Sequence, residues 1–252
     1  MAREFDGSNQ YLATGSILEE LPITLACWFW SDASAAYQAL MALDESGGPL
    51  NGIALEVRGD VGGDPVRAAS WEEGDLTHFA DTGNSTTFNT WQHACGVWAA
   101  SNDRTAYLNG DTDNKGTNSD DFHPGVLDVT SIGGLEWDSN YTAFMSGRIC
   151  EAAIWTVALT DGEVAALADR ISPILVRRDA LVAYWPLGGA HNEDDIDIVG
   201  GFDLTPVNSP TFSTALSNHA PIVHPALPGM SREAAAFSGN SWYYLNHLAR
   251  PA

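Results

Sequence analysis

The sequence predicts an all-β protein: two packed antiparallel sheets, one short helix and an extended C-terminal arm. Three observations lead there. Apolar residues alternate over runs of strand length, as in residues 23–30 and 91–98, and successive strand side chains point to opposite faces. Glycine and proline, at 24 and 12, interrupt these runs often enough for many short strands joined by turns. Only the stretch beginning at Thr160 combines helical spacing with a start signal. At 252 residues the chain is long enough for one such sandwich with a substantial core.

Taken in order, residues 4–12 read as a turn rich in Asp, Gly and Asn that leads into a strand. Residues 23–30 put Ile23, Leu25, Cys27 and Phe29 on one face and Thr24, Ala26, Trp28 and Trp30 on the other. Both faces are largely apolar, the mark of a strand covered on both sides or lying at an interface. Residues 39–44 and 52–58 form a hairpin pattern across 45–51, and 66–71 and 77–79 are shorter strands. Residues 91–98 alternate Gln92, Ala94, Gly96 and Trp98 with His93, Cys95 and Val97. Their partner strand ends at Asn109-Gly110, a pair suited to positive φ. The segment 111–121 is too polar for core. A later strand opens at Ser131, and residues 147–157 form a long one with Ile149, Ala153, Trp155 and Val157 on one side.

Thr160-Asp161-Gly162-Glu163 is a capping box, with Thr160 accepting from the third helical N–H and Glu163 reaching back. Val164, Leu167, Ala168 and Ile171 follow at helical spacing, and Pro173 stops the helix. Strand character returns at 181–187, and an acidic loop spans 191–197. Residues 206–230 are proline-rich and without period, which reads as an extended arm. The expected division is a sandwich over 1–205 and an arm over 206–252.

A net charge of −22, with Lys115 the one lysine, repels phosphates and argues against nucleic-acid binding. No run of about eighteen apolar residues is present, so no membrane insertion by a helix is expected. Residues 1–6 lack the apolar core of a signal peptide, and the expectation is maturation in a cytoplasm. Cys27, Cys95 and Cys150 all fall in predicted strands; an odd count without an export signal reads as reduced, buried thiols.

Trp91-x-His93 followed by Tyr107-Leu108-Asn109-Gly110 resembles the central strand pair of the laminin-G-like, or concanavalin A-like, jelly-roll family. Phe5-Asp6-Gly7-Ser8 with Tyr11 is similar to that family's opening turn and strand, and residues 23–29 to its first long strand. Ile132-Gly133-Gly134 follows. Gly147-x-Ile149, Ile154-Trp155, Leu159-Thr160 and Glu163 are similar to its last strand and closing helix. The segments keep the family's order over residues 4–170. The resemblance implies a jelly roll of two facing antiparallel sheets with one concave face. Residues 181–187, Phe202-Asp203-Leu204 and Thr211-Phe212 resemble a segment that relatives carry before the opening turn. Residues 236–245 echo 5–12. The returning strand therefore either completes the same sandwich, as in a circular permutation, or adds to a neighbouring subunit. An unpaired strand in water is the disfavoured alternative. This tail also resembles laminin-G-like proteins encoded in bacteriophage genomes.

Glycosidases of this fold carry acids in a Glu-x-Asp-x-x-Glu strand, because hydrolysis needs two carboxyls facing one sugar. The nearest run, Glu193-Asp194-Asp195-Ile196-Asp197, reads as a solvated loop, so no catalytic residue is assigned. No cofactor is assigned from the sequence; calcium, a common accessory in this fold, is the one candidate. The family's acid after Gly-x-Ile is replaced here by Cys150, which leaves Asp6 and Glu151 as candidate metal ligands. Trp71, Trp137 and Trp242 lie near polar loops. Trp71 and Trp137, with Asp138, are the candidate sugar-binding residues; Trp28, Trp91, Trp155 and Trp185 are assigned to core or interface. His93 reads as a strand histidine rather than a base, since no nucleophile motif accompanies it. The resemblance implies a non-enzymatic virion protein, decorating a phage head or mounted on the tail, made in the host cytoplasm. Its partners would be other virion proteins, copies of itself and a cell-surface glycan. Phe237, Trp242, Tyr243 and Tyr244 in the arm would contact neighbouring subunits. The alternative is a soluble carbohydrate-binding lectin module.

Overall fold

The strand runs pair antiparallel throughout. The structure, a computed structural model, describes residues 2–34, 36–47, 51–72, 75–137, 140–188 and 195–213. In chain order the strands are β1 (Arg3–Asp6), β2 (Tyr11–Gly15), β3 (Ile23–Ser31), β4 (Tyr37–Asp44), β5 (Gly52–Arg58), β6 (Val66–Glu72), β7 (Asp75–Asp81), β8 (Gln92–Ala100) and β9 (Asp103–Leu108). Then come β10 (Gly116–Asn118), β11 (Val129–Ile132), β12 (Leu135–Trp137), β13 (Asn140–Thr142), β14 (Ser146–Trp155), the helix α1 (Asp161–Ala168), β15 (Leu181–Trp185), β16 (Thr205–Val207) and β17 (Thr211–Phe212). One sheet has the order β10-β9-β8-β3-β14-β1-β17, with β15 also on β14. The other runs β16-β2-β11-β4-β5-β6-β7, and β12 and β13 form a separate hairpin. The inner faces meet in a core that includes Leu25, Phe29, Trp98 and Ile149 from the first sheet and Leu43, Ile53, Leu55 and Val57 from the second. This is the predicted two-sheet jelly roll.

β3 is covered on both sides, as its two apolar faces require. Leu25, Cys27 and Phe29 face the inter-sheet core. Ala26 faces a second cluster with Cys95, Val97, Tyr107 and the helix residues Val164 and Leu167. The capping box forms: Thr160 N donates to Glu163 Oε2 at 2.7 Å, and Glu163 N donates to Thr160 Oγ1. α1 docks where Asn109 and Gly110, both at positive φ, turn the chain after β9. A Cβ at Gly110 would stand 2.9 Å from the Ala165 backbone, so glycine is needed there for approach as well as for φ. All three cysteines are free and buried. No described helix is long and apolar enough to cross a membrane.

Four local expectations change. Ile149 does not share a face with Ala153 and Trp155: the register of β14 against β3 shifts between Cys150 and Ala153. The extra residue, Glu151 at φ 54, reverses the alternation, so Ile149, Ala152 and Ile154 face one core and Ala153 and Trp155 the other. The polar segment 111–121 contains β10, because it pairs with β9 through backbone groups that any sequence has. Trp137 lies in a strand rather than a loop, since Leu135 and Trp137 pack down beside Trp71. Residues 206–213, placed above at the start of the arm, carry β16 on β2 and β17 on β1. The rest of the arm lies outside the described residues.

The returning strand pairs within its own chain. Ala152 faces Trp185 and Ile154 faces Ala183 across β14 and β15. Trp185 Nε1 donates to Phe202 O at 2.8 Å. The described end of the acidic loop, residues 195–197, is tied in rather than solvated. Arg3 Nη2 donates to both Asp195 oxygens at 2.5–2.6 Å. Asp197 accepts from the backbone N–H groups of Tyr184, Val199, Gly200 and Phe202.

Candidate functional site

Strand alternation gives the seven-stranded sheet an outer face quite unlike its inner one. Ala39, Ala42, Ala54 and Ala69 occupy the middle of that face, while Leu55, Val57 and Ala68 point into the core. Small side chains leave room above the sheet. The β12–β13 hairpin fills part of it, setting Leu135 and Trp137 against Trp71. What remains is a groove of about 340 Å³ lined by Tyr37, Glu56, Arg58, Arg67, Trp71 and Trp137, with Phe79 at its margin. Register brings these residues together: Tyr37 stands opposite Arg58, Glu56 opposite Arg67, and Arg67 opposite Asp81.

The two indoles lie 6.0 Å apart at 49°. Trp71 is buried and Trp137 half-buried, so Trp137 offers the larger open surface. The Trp71 ring rests on Gly52, where a Cβ would stand 2.4 Å from Cζ2. Gly52→Ala should therefore displace the indole and cost about 1–3 kcal/mol by overpacking. Urea unfolding and tryptophan fluorescence measure both effects; an unchanged midpoint and spectrum would show that the ring does not depend on the glycine.

Charge is arranged in the groove as a ladder. Tyr37 Oη donates to Glu56 Oε1 at 2.9 Å, and Arg58 Nη1 lies 3.7 Å from Oε2. Burial, only partly offset by Tyr37 and the two arginines, pushes the Glu56 carboxyl up to about 7. Burial and the neighbouring Glu56 raise the Tyr37 phenol. Arg58 lies over the Tyr37 ring at 4.5 Å and Arg67 over the Phe79 ring at 3.6 Å. Arg67 Nε and Nη2 donate to both oxygens of Asp81 at 2.5 and 2.7 Å. Arg58 does the same to Asp60 at 2.8 and 2.9 Å. Beside the indoles Asp44 is buried; its Oδ2 accepts from Glu136 N at 3.0 Å, and burial holds its carboxyl well above the usual range.

Of the residues expected to bind a ligand, Trp71 and Trp137 meet in this groove, and Asp138 lies outside the described residues. The two candidate calcium ligands do not meet. Asp6 is exposed and accepts from Ser8 N at 2.9 Å within its turn. It faces Ser146 on β14, five residues before Glu151, which separates the pair by roughly 16 Å at strand rise. Glu151 is buried and accepts from Tyr184 Oη. Among the described residues no group of three or more His, Cys, Asp or Glu side chains is placed to hold a metal. His93 is buried against Trp28, ring centroids 5.5 Å apart, and desolvation lowers it to about 3, which suits packing and not proton transfer. Trp155 and Trp185 are buried in the cores as expected. Phe237, Trp242, Tyr243 and Tyr244 fall outside the described residues. Sequence reasoning missed Tyr37, Glu56, Arg58 and Arg67. Glu56 and Arg58 show only the period-two polarity of a half-exposed strand, while Arg67 on β6 and Tyr37 on β4 belong to no polar repeat.

Residues 6–165 match the sequence profile of a laminin G family described as the concanavalin A-like lectin/glucanases superfamily. No curated protein matches the chain. Among solved structures, the fold resembles a Bacteroides ovatus ATCC 8483 protein to which carbohydrate binding is attributed. That match has 17% identity and a TM-score of 0.57, covering 88% of this chain and 62% of that one. It also resembles domain 4 of AbnA, a GH43 extracellular arabinanase from Geobacillus stearothermophilus, in complex with arabinotriose. There the identity is 19% and the TM-score 0.52, over 66% of this chain and 76% of that one. The Ruminococcus gnavus IT-sialidase CBM40 matches at 14% identity and a TM-score of 0.50, over 67% of this chain and 98% of that one. At these identities the likeness is one of fold.

Proposed function

We propose, from the premise that this chain belongs to the concanavalin A-like lectin/glucanases superfamily, that it is a non-catalytic carbohydrate-binding module whose ligand lies in the outer-face groove. The observation that carries this reading is the composition of the groove. An open indole, Trp137, stands beside fixed polar groups on Tyr37, Glu56, Arg58 and Arg67. A sugar ring has an apolar C–H face and a polar hydroxyl edge, and a concave site with aromatic walls and a few placed polar groups suits both. The carbohydrate binding attributed to the Bacteroides protein and the arabinotriose on the arabinanase domain support it, as structural neighbours.

Hydrolysis of a glycosidic bond takes two carboxyls flanking it. Among the described residues lining the groove, Glu56 is the one carboxyl; Asp81 and Asp60 are held beside it by arginines. This arrangement supports holding over cutting. The virion reading drew on the tail's resemblance to phage-encoded proteins; the groove and the structural neighbours support the alternative, the carbohydrate-binding module.

A glycan array followed by titration calorimetry tests it. Binding at micromolar concentration is expected. Trp137→Ala, checked for retained β-sheet circular dichroism, should weaken it about tenfold or more, as loss of an aromatic anchor does. No binding across the array, or unchanged affinity in a folded Trp137→Ala protein, would overturn the proposal.

A further inference from the structure

Resting on the reading of the groove as a glycan site, we propose that Asp60 and Asp81 are specificity-determining residues that make the groove select neutral sugars over acidic ones. Two guanidiniums in a sugar groove would ordinarily point to a uronate or sialate, because the planar fork of arginine matches a carboxylate in bidentate fashion. Here the side-on Nε–Nη2 edge of each is already filled. Nε and Nη2 of Arg67 are taken by the two oxygens of Asp81, and Nε and Nη2 of Arg58 by the two oxygens of Asp60. One face of each guanidinium is also covered, by Phe79 and Tyr37 respectively. What each arginine has left is the two N–H groups of Nη1 and one of Nη2, and Nη1 of Arg58 sits 3.7 Å from Glu56 Oε2. On a guanidinium whose charge is already met by a carboxylate, these donors suit a neutral hydroxyl or ring oxygen better than a second anion.

The surrounding charge acts in the same direction. Asp60, Asp81 and Glu56 stand against Arg58 and Arg67, and the whole chain carries −22. An approaching anionic glycan meets a repulsive field and guanidiniums whose charge is already compensated. Hydrogen bonds from Arg58 hold the Asp60 carboxyl below its ordinary range, so it stays ionised and keeps that fork closed.

The test titrates the full chain with neutral oligosaccharides from the array and with trigalacturonate and sialyllactose as acidic probes, at low and at high salt. Neutral ligands should bind with little change in salt, and the acidic probes should fail at both. Asp81→Asn and, as the more exposed and milder change, Asp60→Asn should each open a fork. Each should tighten trigalacturonate or sialyllactose binding about tenfold or more at low salt. Wild-type protein that prefers the acidic probes would overturn this inference and leave the glycan reading standing. Folded Asn variants that still ignore those probes would overturn it too. Failure of every glycan would remove the glycan reading, and this inference with it.

Discussion

A chain ending at Asp179 is expected not to fold. β15 contributes Ala183 and Trp185 to the inter-sheet core, with Leu187 and Leu204 following, and Tyr184 to the cluster under α1. Truncating one buried Trp to Ala costs about 3–5 kcal/mol, and whole domains are stable by about 5–15 kcal/mol. Losing all of these residues exceeds that margin. The backbone adds to the loss. Glu151 N donates to Pro186 O at 3.1 Å, and Ser213 N donates to Ala2 O at 2.9 Å. Truncation would also bare one edge of β14, strip β17 from β1, and leave the buried Glu151 without its Tyr184 partner. Circular dichroism and size-exclusion chromatography of the 1–179 chain decide the matter. A monomer with native near-ultraviolet signal would show that the tail is an accessory. Trp185→Ala supplies the graded version, with an expected fall of about 3–5 kcal/mol in urea unfolding.

The second large effect is pH dependence from Glu56. Its carboxyl titrates at 4.5 in an unperturbed setting and at about 7 in the fold. Between those values the folded state holds a proton that the unfolded chain has released, so raising the pH favours unfolding. Stability from this group is complete below pH 4.5 and lost as pH rises through 7. A gap of that size corresponds to about 3 kcal/mol. Glu56→Gln mimics the protonated acid and can still accept from Tyr37. The variant should match wild type near pH 4 and exceed it by about 3 kcal/mol at pH 8. His93 works in the opposite sense. Desolvation lowers it to about 3, so below pH 6.5 the unfolded chain takes up a proton that the fold refuses. The informative quantity is therefore the difference between variant and wild type at each pH. A difference that stays constant from pH 4 to pH 8 would mean that Glu56 titrates in the fold as it does in the unfolded chain.

Much of the architecture could be read from local pattern. The two-sided β3, the hairpin of β4 and β5, and the capping box before α1 follow from alternation, turn chemistry and capping, each acting within a few residues. Reading failed where an element owes its form to a distant partner. β10 is polar yet paired, and β12 becomes a strand because Trp137 finds Trp71 across the sheet face. The alternation in β14 breaks at Glu151, a bulge with no mark in composition. The groove was half legible. Trp71 and Trp137 stood out as aromatics in polar surroundings. Glu56 and Arg58 did not, because a charged residue every second position is how any half-exposed strand looks, and Arg67 did not, because it is one charge among apolar neighbours on β6.

Taken alone, the order of residues determined that this chain is an antiparallel sandwich with one capped helix, since period and turn residues are properties of neighbours along the chain. Tertiary pairing decided the rest. It returned β15 to its own β14, and it set Glu56 opposite Arg67 and Arg67 opposite Asp81. The physical reason is register: a slip of one residue would turn every one of those side chains into the core, and only the packed sheets, by burying one face and not the other, specify which register holds.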